Sequence, residues 1–127
     1  MTKQEAMRMV RQAKSAHIRW RAFVLSMLAG LEVAEHQAPI HHKACDFGQW
    51  FYSDGFRAFA HWPIYQDVEY VHELLHAVYE RLYQACSEAH QAEAERLSGQ
   101  LMGISESLLV TLDLLDEEIF TARDEDF

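Results

Sequence analysis

Glycine and proline are scarce in this chain of 127 residues, with 5 of the first and 2 of the second. All-β folds with many tight turns need more of both, so they are disfavoured. Only 2 cysteines are present, too few for a disulfide framework. No run of about 18 apolar residues occurs, so no membrane insertion is expected. The N-terminus is charged and amphipathic and has no apolar signal core, so it does not read as a secretory leader. Basic residues are outnumbered: 11 Lys and Arg stand against 20 Asp and Glu, for a net charge of −9. A chain this acidic repels phosphate backbones, and nucleic acid is not an expected partner. These absences together point to the cytoplasm.

Half of the residues are apolar and 24% are charged, as in a chain that buries a compact core. The length suits one domain spanning 1–127. Residues 3 to about 36 carry apolar positions at Val10, Ala13, His17, Trp20, Val24, Met27, Leu31 and Ala34. Steps of three and four predict one long helix, which Pro39 would end. His17 holds a seam position where an apolar residue is called for. Asp46 to Tyr52 reads as a short helix beginning near Cys45, closed by a turn at Ser53-Asp54-Gly55. Residues 56–63 read as an irregular aromatic connector, with Pro63 in the first turn of the next helix.

Val68, His72, Leu75, Tyr79, Leu82 and Cys86 form a second stripe, and Leu97, Leu101, Ile104, Leu108, Leu112, Leu115 and Ile119 a third. A single helix through both would be roughly 80 Å long at about 1.5 Å per residue, too long for this domain. A break is predicted at Ser87–Ala92. The expectation is an all-α four-helix bundle with a short additional helix carrying the Cys-x-Phe-Gly-x-Trp segment. Basic residues cluster at the start (Lys3, Arg8, Arg11, Lys14, Arg19, Arg21) and acidic ones from Glu106 onward. These patches can attract each other within a chain or between two chains, or be two solvated faces.

The surplus is histidine, with 8 residues. His72 and His76 project from one helix face a turn apart, a spacing suited to one metal ion. The segment His72-Glu73-Leu74-Leu75-His76 also matches H-E-x-x-H. One alternative is therefore a small zinc metallohydrolase with Glu73 as general base. Such enzymes usually need a sheet and a cleft, and nothing here reads as a strand. Cys45, at the expected start of the short helix, is placed where free N–H groups favour a thiolate. His17, His72, His76 and Cys45 together offer three nitrogens and one sulfur, a complete tetrahedral set for zinc. His41 and His42 precede Cys45 in a loop, where they could supply a substitute ligand, although a solvated position is expected. His36, His61 and His90 are expected at the surface, and Cys86 in the core.

The order His17-x2-Trp20, Cys45-x-Phe47-Gly48-x-Trp50, His72-x3-His76 resembles the CZB family, the chemoreceptor zinc-binding domains of bacterial signalling proteins. The matched positions run from 17 to 76, and the helical remainder is compatible to about residue 120. The resemblance implies Zn2+ as cofactor, bound by His17, Cys45, His72 and His76. It implies a helical bundle, often a homodimer. It gives Trp20, Phe47 and Trp50 places as lids beside the metal, and Gly48 a close approach of the short helix to the bundle. Asp46 would be either an outer acceptor for a ligand imidazole or a helix N-terminal carboxylate. The implied role is a sensory or regulatory module rather than an enzyme. Its partner would be of chemoreceptor or diguanylate cyclase type, in chemotaxis or cyclic-di-GMP signalling. Its input would be zinc level or thiol oxidation. These 127 residues include neither a coiled-coil signalling hairpin nor a catalytic domain, so the resemblance is to a stand-alone copy.

Overall fold

A computed structural model describes residues 1–34 and 39–123. His36 lies outside the described residues, as do the acidic residues beyond Arg123. The protein is an all-α helical bundle, with the order α1 (Lys3–Leu28), α2 (Asp46–Phe51), α3 (Asp54–Phe59), α4 (Pro63–Ser87) and α5 (Gln91–Thr121). Three helices are long. The short ones, α2 and α3, follow α1 and precede α4 in the chain.

Helix α1 opens on a capping box: Thr2 Oγ1 accepts the Glu5 N–H and Glu5 accepts the Thr2 N–H. Val10, Ala13, His17, Trp20 and Val24 are buried along one seam, as the spacing predicts. The helix ends at Leu28, well short of the expected 36. Gly30 takes φ +87, and its N–H bonds to the Met27 carbonyl while Leu31 N–H bonds to Ser26. This Schellman closure uses the left-handed conformation that glycine adopts without strain. Leu31, the next residue of the predicted stripe, is consequently 63% exposed.

Pro63 stands at the start of α4, as expected. The break between α4 and α5 falls within the predicted stretch. Ala89 adopts φ 57, with Ala89 N–H on Cys86 and His90 N–H on Ala85, a second Schellman closure with alanine in glycine's place. Residues 54–59 differ from the expected connector. They form α3, which buries Phe59 against the stacked Phe51 and Tyr65 rings, and Tyr65 donates its hydroxyl to the Phe51 carbonyl.

Helices α1 and α5 run antiparallel. Lys3 Nζ reaches the Phe120 carbonyl (2.8 Å), Arg11 pairs with Asp116 (3.2 Å), and Lys14 pairs with Asp113. The basic start and the acidic end therefore meet within one chain. Arg81 and Glu93 pair across the α4–α5 hairpin. In α5 the buried set includes Ser105, whereas Ile104, predicted for the seam, is half-buried. No helix of the described residues is long and apolar enough to cross a membrane.

Candidate metal centre

Cys45 is the N-cap of α2. Its extended backbone (φ −76, ψ 154) turns the side chain back over the helix start, where Sγ accepts the Gly48 N–H at 3.3 Å. The thiol donates to the His42 carbonyl at 3.2 Å, and Sγ lies 3.4 Å from Nε2 of His72. Gly48 makes this arrangement possible. A Cβ there would sit 1.9 Å from the His42 carbonyl oxygen, so the 42–43 backbone passes where a side chain would be.

His72 and His76 are buried on the inward face of α4, with ring centroids 4.7 Å apart. His76 Nδ1–H donates to the Ile40 carbonyl at 2.8 Å, which leaves Nε2 free. The main chain thus supplies the outer contact that orients a metal-binding imidazole. Burial holds the pKa of His72 down at about 2 and that of His76 at about 4, so both rings are neutral at pH 7. Burial pushes the Cys45 thiol above its usual range, Asp46 adds to this, and the Gly48 N–H opposes it. The helix start does not produce the free thiolate that the sequence suggests, because desolvation outweighs the amide.

One ligand atom each from Cys45, His72 and His76 lies within 4.8 Å of the others. In a tetrahedral zinc site, sulfur at about 2.3 Å and nitrogen at about 2.0–2.1 Å are about 3.5 Å apart. Two imidazole centroids on one such ion are about 5 Å apart by the same geometry. The observed 3.4 Å and 4.7 Å fit both. Soft sulfur with neutral imidazoles is the donor set zinc prefers.

His17 is buried but stands outside this group of three. Its Nε2 is hydrogen-bonded to Ser105 Oγ on α5 at 2.6 Å, and burial lowers its pKa to about 4. It lines the same cavity of about 340 Å³ as the three, together with Trp20, Asp46 and Phe47. Trp20 stacks on His17 (5.2 Å) and packs edge-on to Tyr79. Phe47 stands edge-on to His72 at 5.2 Å, and Trp50 backs Phe47 from behind. Asp46 is an exposed carboxylate in the first turn of α2. Glu73, the base of the hydrolase alternative, is 48% exposed in its side chain, and its Oε1 accepts the Tyr52 hydroxyl.

Sequence reasoning gave no role to Ser105 or to the Ile40 carbonyl. A polar residue near the apolar stripe of α5 was the available signal for Ser105. No side-chain pattern could mark a carbonyl. His42, expected in solvent, is half-buried beside the cluster, while His41, His61 and His90 are exposed and Cys86 is half-buried against the core.

Fold and site define a helical metal-binding protein of the Cys-His-His kind. The sequence profile of the chemoreceptor zinc-binding domain matches residues 17–83, more than half of the chain, and the protein belongs to that family. Its cofactor is zinc, and it is a zinc-binding module of a sensory, regulatory family. Comparison with curated proteins and with solved structures finds no match.

Proposed function

We propose that residues 1–127 form one sensory domain that binds one zinc ion through Cys45, His72, His76 and His17, and acts by interaction rather than catalysis. The observation that carries this reading is the convergence of Cys45 Sγ with the imidazoles of His72 and His76. His17 is the proposed fourth ligand. It is buried, neutral and lines the same cavity, and the family resemblance assigns it that place. A bound zinc supplies a tetrahedral cross-link between helices.

With four protein ligands the site has no position left for substrate, so occupancy is its output. Cys45 comes from the start of α2, His72 and His76 from α4, and His17 from α1. Loss of the metal frees these elements from one another, and a partner can register that loosening. The input is zinc level or oxidation of the Cys45 sulfur. The compartment is the cytoplasm. The partner is a signalling protein of chemoreceptor or diguanylate cyclase type, in chemotaxis or cyclic-di-GMP pathways. The assembly is a homodimer, for which the exposed Ile18, Leu25, Val110 and Leu114 offer apolar surface.

Elemental analysis tests the centre. Wild-type protein purified without added zinc is expected to carry about one zinc per chain. Alanine at His72 or His76 should abolish it, and alanine at Cys45 or His17 should weaken retention. Full zinc content in a folded His72→Ala variant would reject the reading.

A further inference from the structure

His42 is the side chain at the centre for which the zinc reading has no use. It lies three residues before Cys45, in the connector leading into α2. Its ring is edge-on to His72 at 6.0 Å and tilted against His76 at 6.5 Å. These centroid separations exceed by only about 1–1.5 Å the spacing of about 5 Å for imidazoles sharing one zinc. His42 Nε2 is buried and has no hydrogen-bond partner among the described residues. The Glu73 carboxylate stands 3.7 Å from it, an ion pair only when the ring is protonated and beyond hydrogen-bond reach. A buried polar nitrogen without a hydrogen bond is unfavourable, and in a native protein such a group needs a reason. The backbone of His42 is tied to the same place. Its carbonyl accepts the Cys45 thiol at 3.2 Å and lies directly over Gly48. The connector that carries the imidazole is therefore anchored beside the cluster.

We propose that His42 is a reserve ligand, which takes the coordination position that the Cys45 sulfur leaves, so that the metal stays on His72 and His76. This rests on the zinc reading above. The event that removes the sulfur is oxidation by a hydroperoxide. The thiolate sulfur attacks one peroxide oxygen, an S–O bond forms and the O–O bond breaks. Sulfur gives up two electrons, and the second oxygen leaves as hydroxide or alkoxide. The sulfenic acid so formed no longer serves as a thiolate ligand. With His42 in its place the zinc is retained, while the cap of α2 is released. Oxidation then changes the shape of the α2 start without discharging the ion.

The test compares zinc affinity, by competition with a chromophoric chelator, in wild type, His42→Gln, Cys45→Ser and the double variant. His41→Gln serves as a neighbouring control. Serine retains capping ability at position 45. His42→Gln alone is expected to bind within about threefold of wild type. The double variant is expected to bind at least about 100-fold more weakly than Cys45→Ser, at or beyond the upper end of losses from outer contacts. Cobalt loading gives a second readout. Cys45→Ser should lose the sulfur-to-cobalt charge-transfer band yet keep intense tetrahedral visible bands, and the double variant should lose both. Equal affinities for Cys45→Ser and the double variant would overturn the role of His42 and leave the centre intact. Failure of wild type to bind zinc would remove the centre itself. Should the double variant lose helicity, hydroperoxide treatment decides. Wild type is expected to keep its zinc and His42→Gln to release it, and equal release would overturn the proposal.

Discussion

At the scale of single residues, the centre depends on a backbone passing where a side chain would be. Gly48→Ala would drive a Cβ into the His42 carbonyl, a clash with main chain rather than with a flexible side-chain end. The connector would have to move, and with it the Cys45 sulfur. We expect a loss of about 1–3 kcal/mol in the stability of the metal-free protein, and weaker zinc retention. Urea unfolding and chelator competition measure these, and unchanged values for both would show that the connector is looser than described. The cluster of Cys45, His72 and His76 was legible in the sequence, because H-x3-H and a cysteine before an aromatic run are patterns of side-chain type. Ser105 beneath His17, the Ile40 carbonyl behind His76 and the inward turn of His42 were not. Each depends on the path of a distant or irregular segment, which no local period encodes.

At the scale of elements, the two Schellman closures differ in one residue. Gly30 ends α1 in a conformation that suits it, whereas Ala89 ends α4 with φ 57. An alanine in the left-handed region costs about 1–2 kcal/mol, partly offset in a glycine variant by the greater freedom of the unfolded chain. Ala89→Gly is therefore expected to stabilise by about 0.5–1 kcal/mol and raise the melting temperature by about 2–4 °C. Calorimetry checks this, and a destabilised variant would contradict the assigned closure. The long helices were readable from their 3.6-residue period, and so was the region of the α4–α5 break. The stop of α1 was misplaced at Pro39 because apolar residues continue past Gly30 at helical spacing. The tertiary burial that would have sustained a helix there is missing. Helix α3 was not foreseen. Six residues are too few to show a period, and the turn residues at its start read as a break.

At the scale of the whole molecule, the three buried histidines set the response to acid. In the metal-free protein His17 and His76 titrate near 4 and His72 near 2, against an ordinary 6.5. The folded state therefore binds fewer protons than the unfolded state below pH 6.5. Stability is flat above that value and falls as pH drops toward 4, by up to about 1.4 kcal/mol per pH unit for each histidine. The raised Cys45 thiol acts in the other direction, removing stability only above its ordinary 9.0. Urea midpoints with chelator present should thus be level between pH 7 and 8 and decline clearly by pH 5. A midpoint unchanged at pH 5 would mean that the histidines are not buried as described.

Trp20 lies flat on His17, within 6.5 Å of the His76 ring, and is itself nearly sealed from water. Its excited state samples the local field at the centre. Arrival of a dication beside it shifts the emission of that indole without any added dye. Trp20→Phe would silence this signal while Trp50 and Trp62 continue to fluoresce as background, so the bundle carries its own optical gauge of loading.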